Sequence, residues 1–221
     1  MFYGPLLFLF MLGFLALLVV LFFFIQIGAI GYAFDKIGIN PSLVFLLLLA
    51  CLAGSYINIP IHRIRNEAVL MDQVVSFFGF RLQVPRIARR ETVVAVNLGG
   101  AIIPFLIAAY LLSRTAYPLA ALIGVGAVAA ISKLLARPVP GVGIAMPALI
   151  PPILAALVAL ILAPAQGPMV AYIAGTLGVL IGADLLNLKN LVLLRAPVVS
   201  IGGAGTFDGI FLTGIIAVLL A

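Results

Sequence analysis

Two carboxylates in this chain stand where a carboxylate is expensive. Asp184 lies in IGADLLNL and Asp208 in GTFDGIFLTG, both inside otherwise apolar stretches. An ionised carboxylate deep in a bilayer costs at least roughly 2.5–3.5 kcal/mol on insertion scales, so its retention points to a functional site. The other four acidic residues are ordinary by comparison. Asp35 adjoins Lys36, and Glu67, Asp72 and Glu91 fall within an arginine-rich connection. If Asp184 and Asp208 face one another, repulsion and desolvation keep one protonated while the other is ionised, and the pair titrates as a unit. Such a pair can activate a water and protonate a carbonyl, which is aspartic-protease chemistry.

Other chemistries find less support. His62 is the single histidine, and its place beside Arg63 suggests an interfacial residue. No HExxH or P-loop occurs, and GGAGTF precedes an apolar run instead of closing a βαβ unit. Cys51 is the only cysteine, which excludes an internal disulfide and a thiolate cage. Asn97, Asn187 and Asn190 supply further polar oxygens, so the aspartates with asparagines also suit Mg²⁺ or Na⁺. No cofactor is expected. The net charge of +6 comes without a basic run of the nucleic-acid type, so no nucleic-acid partner is expected.

The elements that must hold these groups follow from composition. Of 221 residues, 66% are hydrophobic and 8% charged, far below the quarter usual in soluble domains. Each crossing takes roughly 20 residues, so seven would use about 140. The expected fold is all-α, a polytopic bundle of about seven spans. They fall at about 6–28, 41–61, 92–113, 115–132, 142–163, 168–188 and 198–221. Three parts result: residues 1–61 with two helices, an Arg-rich loop at 62–91, and a five-helix core at 92–221 carrying the site. Lysines and arginines number ten in the even connections and two in the odd ones. The positive-inside rule then puts the N-terminus in the cytoplasm, the C-terminus outside, and the chain in a cell (inner or plasma) membrane. Tyr3, Tyr32, Tyr56, Tyr110, Tyr117 and Tyr172 are available as interfacial anchors.

The loop at 62–91 contains VVSFFGFRLQVP, strand-like in composition with a turn signal at Gly79. It fits a small cytoplasmic hairpin. It equally fits an amphipathic segment on the inner leaflet, with Phe77, Phe78 and Phe80 buried and arginines at the headgroups.

Three stretches break helix rules: VNLGGAIIP, ARPVPGVGIAMPALIPP and APVVSIGGAGTFDG. Irregular backbone in a membrane must be buried in protein or line a wet cavity. All three belong to cytoplasmic helix ends in this topology, which points to one cavity open on that side. Asn97, Gly99, Gly100, Pro147, Ala148, Leu149, Asn187, Gly203 and Gly205 are its expected lining.

The block from VNLGGAIIP through ARPVPGVGI and GADLLNL to SIGGAGTFDGIFLTG, about residues 90–221, resembles a family of uncharacterised bacterial and archaeal multi-pass membrane proteins. The same stretch has a fainter similarity to intramembrane aspartyl proteases of the presenilin and signal-peptide-peptidase type. In that resemblance Asp184 matches the first catalytic aspartate, Asp208 the second, and Pro147-Ala148-Leu149 the PAL motif. The sequence departs from the pattern in three ways. It reads GxGxxD where the family has GxGD, Ala183 stands where tyrosine is usual, and PAL precedes both aspartates. The resemblance implies a transmembrane peptide substrate. Broken helices with buried carboxylates equally suit a small H⁺- or Na⁺-coupled transporter. A Mg²⁺-dependent lipid-headgroup enzyme is a third, weaker fit. Substrate and oligomeric state are not legible.

Overall fold

The computed structural model describes residues 5–65, 69–77, 80–88, 91–139, 143–188, 197–203 and 209–221. Helices dominate: α1 (Pro5–Lys36), α2 (Pro41–Gly54), α3 (Ile103–Arg114), α4 (Pro118–Leu135), α5 (Ile150–Leu162), α6 (Gly167–Val179) and α7 (Gly209–Leu220). Among the described residues, three segments are long and apolar enough to cross a membrane: Met11–Lys36, Pro118–Leu135 and Pro164–Leu188. The remaining helices are shorter. At 1.5 Å per residue the 14 residues of α2 reach only about 21 Å, less than a typical hydrocarbon core.

Local chemistry explains where these helices stop. Gly38, at φ +79°, turns the chain after α1. Ile39 N–H donates to the Phe34 carbonyl and Gly38 N–H to that of Asp35, a Schellman closure that needs a left-handed residue. Asn40 then caps α2, its Oδ1 accepting from Ser42 N–H at 3.0 Å, with Pro41 preset for the first turn.

The expectation of an all-α chain with α2 reaching residue 61 and α3 starting at 92 is corrected by strands. β1 (Asn58–Arg65) pairs antiparallel with β4 (Glu91–Asn97), and β7 (Val198–Ile201) pairs parallel with β4, giving the order β1-β4-β7. The physical reason lies in NIPIHRIR and ETVVAVN. Alternating or consecutive β-branched residues favour a pleated strand over a helix, and Pro60 cannot sit inside a helix. Within 62–91 the strand pairing of a hairpin is present: β2 (Val69–Phe77) and β3 (Phe80–Ala88) pair antiparallel, up to Phe77↔Phe80, while the ends of the segment belong to β1 and β4. Two three-residue strands, β5 (Arg137–Val139) and β6 (Gly143–Ala145), occupy part of the proline-rich approach to α5.

The core sits around α6. In its most apolar window 72% of residues are buried, against none in that of α1. Small residues set the spacing. A Cβ added at Gly178 would strike Val128, and one at Gly124 would strike the Ala174 side chain, so α4 and α6 touch nearly backbone to backbone. Tyr172, Phe34 and Phe211 form a fully buried aromatic group where α6, α1 and α7 meet. Phe34 lies 6.5 Å from each of the other two ring centroids. α1 joins the core through Ala33 and Phe34, with Ile37 of the following turn, while the stretch from Met11 to Phe22 lies outside it.

Candidate functional site

Asp184 ends a π-helical turn, Leu180–Asp184, that follows α6 directly. The turn is wedged against α4, because a Cβ at Gly182 would overlap the backbone of Ala129. A widened turn leaves carbonyls without their usual partners. Asn187 meets this need: its buried amide donates to the carbonyls of Gly182 at 3.0 Å and Ala183 at 3.1 Å.

The Asp184 carboxylate is half-buried, and its Oδ2 accepts a hydrogen bond from Gly202 N–H at 3.1 Å. Gly202 is held by two constraints. Its φ of +81° favours glycine, and a Cβ there would collide with Gly100 and Ala101. Gly203 follows at φ +76°, so two successive left-handed residues turn the chain away from β7. The register of β7 on β4, ending at Val96↔Ile201, therefore sets where the Gly202 donor points.

Asn97 anchors the other side of that register. It is fully buried; Nδ2 donates to the Ser55 carbonyl at 2.7 Å and to Asn58 Oδ1 at 3.0 Å, while Oδ1 accepts from Gly100 N–H at 2.7 Å. Ser200 Oγ donates to the same Asn58 oxygen at 2.5 Å. A second π-helical turn, Leu98–Ile102, begins here and leads into α3. Gly99 within it lies on α2 so closely that a Cβ would overlap the Cys51 carbonyl and Ser55 N. Asn97, Gly99 and Gly100 thus hold α2, β4 and β7 together beneath the site.

Beside Asp184 lies a pocket of about 330 Å³. Its wall includes Ile144, Met146 and Ala148 from the segment before α5, and Gly209, Ile210 and Thr213 from α7. Of the residues expected from sequence, Asp184 and Ala148 line it. Pro147 and Leu149 flank Ala148 and are exposed. Asp208 and Gly205 lie outside the described residues, as does Asn190; Gly209 is the nearest described neighbour of Asp208. Sequence reasoning missed Gly202 as the partner of Asp184 and Thr213 as a buried hydroxyl in the pocket wall. The IGG pair before Asp208 was a usable signal for the first. Thr213, one threonine in an apolar helix, gave none.

Among the described residues no three His, Cys, Asp or Glu side chains come together as a metal site. His62 stands in β1 opposite Val94 and is exposed.

These features define a mostly helical protein, compatible with a membrane location, with a half-buried carboxylate at a broken helix end. The chain belongs to the DUF1614 family of proteins of unknown function, whose family model matches residues 52–220. That match includes the sheet, the β2–β3 hairpin and everything around Asp184, and leaves α1 outside. No curated protein and no solved structure matches the chain.

Proposed function

We propose that this chain is an intramembrane aspartyl protease, with Asp184 and Asp208 as the two carboxyls and a transmembrane peptide as substrate. The observation that carries this reading is the composition of one pocket wall. Asp184, Ala148 and Gly209 line the same 330 Å³ space, and Gly209 is covalently next to Asp208. Consecutive Cα atoms are about 3.8 Å apart, which is short beside such a pocket. In this reading one carboxylate accepts a proton from water as the oxygen attacks the peptide carbonyl carbon. The protonated partner donates to the carbonyl oxygen. Collapse of the tetrahedral intermediate breaks the C–N bond, with a proton passing to the leaving amine. Gly202 N–H holds the Asp184 side chain in place throughout.

The topology belongs to the same reading: seven crossings, the N-terminus in the cytoplasm, and the core of residues 92–221 opening toward the cytoplasm. In this reading the short helices α2 and α5 cross the bilayer together with the irregular segments next to them.

The test uses purified full-length protein reconstituted with a panel of single-span peptides carrying helix-breaking residues at mid-membrane. Cleavage is expected with the native chain and lost in both Asp184→Asn and Asp208→Asn. Retained cleavage in either variant overturns the reading. A disulfide test stands beside it: with Cys51→Ser, cysteines at 184 and 208 should crosslink, which wants Cα atoms within roughly 7 Å.

The alternative is an H⁺- or Na⁺-coupled carrier. What favours it is the pair of π-helical turns, since interrupted helices recur at carrier binding sites. Ion-dependent flux in liposomes that vanishes in Asp184→Asn, without cleavage of any peptide, would select it.

A further inference from the structure

We infer that the wedge between α2 and α3 binds one phospholipid, with an acyl chain between the two helices and the phosphate at Arg114. The inference rests on the membrane placement and is independent of the aspartyl chemistry. At one end the two elements touch backbone to backbone. A Cβ at Gly54 would lie 2.9 Å from Gly99 N, and one at Gly99 would overlap the Cys51 carbonyl. From that crossing α2 runs back to Asn40 and α3 forward to Arg114, with a space of about 510 Å³ between them. Leu43 and Leu47 line it from α2, Ile103, Ile107 and Tyr110 line it from α3, and Asn40 stands at the end away from the crossing. Ile107 is buried, and Leu47 and Ile103 are half-buried, so the space enters the protein instead of lying on its surface.

Shape and chemistry select the occupant. A helix is about 10 Å wide and rises about 5.4 Å per turn, so the space holds little more than one turn and seats no span of a second copy. An acyl chain is thin and flexible enough to follow it, and apolar walls favour its entry. The end away from the crossing is polar and offers donors. Asn40 Oδ1 already accepts from Ser42 N–H and Ser42 Oγ, which leaves its amide N–H groups to donate. Tyr110 supplies a phenol, a group suited to the headgroup layer. Ile103, Ile107, Tyr110 and Arg114 follow at helical spacing along one stripe of α3. The exposed Arg114 therefore continues the same wall beyond the apolar part. These donors complement the oxygens of a phosphodiester, which a guanidinium can hold through two parallel hydrogen bonds. A diacylglycerol has the same tails without that group and should bind weakly.

The chain contains no tryptophan, so a single one reports its own surroundings. Full-length Leu106→Trp, in the α3 wall, is purified in mild detergent and titrated with phosphatidylglycerol whose acyl chains carry bromine as a quencher. Quenching should saturate near one lipid per chain. Phe45 is exposed and lies two residues from both Leu43 and Leu47, on the other side of α2, so Phe45→Trp should show no saturable quenching. Brominated diacylglycerol should quench Leu106→Trp with about tenfold lower affinity, and adding Arg114→Gln should weaken phosphatidylglycerol binding about tenfold. Leu43→Trp repeats the titration from the α2 wall should Leu106→Trp fail to fold. Absence of saturable quenching at both walls overturns the proposal. Equal quenching at Phe45→Trp overturns it in favour of an unspecific lipid coat. Binding indifferent to Arg114→Gln, or to loss of the phosphate, overturns it as well. A blue shift that follows protein concentration without added lipid overturns it in favour of contact between copies.

Discussion

Among the described residues stand two π-helical turns, and they are built from the same parts to different ends. At Leu98–Ile102, Gly99 presses on α2 and the Asn97 side chain accepts from Gly100 N–H. At Leu180–Asp184, Gly182 presses on α4 and the Asn187 side chain donates to the Gly182 and Ala183 carbonyls. In each, a glycine removes side-chain bulk and an asparagine serves backbone groups of the widened turn. The first is closed: Asn97 is fully buried with three hydrogen bonds inside the protein. The second ends in Asp184, half-buried at a pocket, whose carboxylate accepts from Gly202 N–H just past β7. Glycine with asparagine therefore marks irregular backbone. A site needs an ionisable group at its end as well.

The comparison breaks most violently at the glycines. Gly99→Val should prevent stable folding, because the backbone of Cys51 and Ser55 cannot withdraw as a flexible side chain would. Overpacking typically costs 1–3 kcal/mol, and this contact with backbone is expected at or above about 3 kcal/mol. Gly182→Val should do the same against Ala129. Thermal unfolding in mild detergent checks both. A glycine variant with native Tm would show that the close crossings are not required. Asn97→Ala comes next, at about 2–3 kcal/mol, since it leaves the buried Gly100 N–H without its acceptor and the Ser55 carbonyl without a donor.

How much of this was legible in the sequence depends on which force acted. Asp184 stood out because charge in an apolar run is rare, and the structure sets it at a pocket. Gly99 and Asn97 also stood out, but as expected lining; they instead pack and staple, because the sequence shows that backbone is irregular without showing which side faces empty space. The helix ends were misread at 58–61 and 92–97 for a definite reason. Hydropathy alone does not separate an apolar strand from a membrane helix, and ETVVAVN and NIPIHRIR are short enough to merge with their neighbours. Val198–Ile201 was hidden in the same way, and its parallel pairing with β4 is a contact between residues about a hundred apart. No local pattern announces such a pairing. The hairpin was readable because alternation and a glycine turn signal both lie within one short segment.

Smaller changes sharpen the difference between the two turns. Asn187→Ala should cost about 1–2 kcal/mol, less than Asn97→Ala, because Ala183, one of the two residues whose carbonyls it serves, lines the pocket, where water can replace the amide. An equal or larger loss of Tm than for Asn97→Ala would mean that the second turn is as closed as the first.

Asp184→Asn is the smallest expected effect on stability and the most informative. The asparagine amide oxygen can still accept from Gly202 N–H, the volume is unchanged, and a carboxylate at a membrane site is replaced by a neutral group. Stability should fall by less than about 0.5 kcal/mol, or rise, as read from Tm. Cleavage in the proposed assay should disappear in the same sample. Natural proteins retain a destabilising group where function requires it, so loss of activity without loss of stability separates a working carboxylate from a structural one. A drop in Tm comparable to that of Asn97→Ala would instead make Asp184 the staple of the second turn, and the two turns would then differ only in how far each is buried.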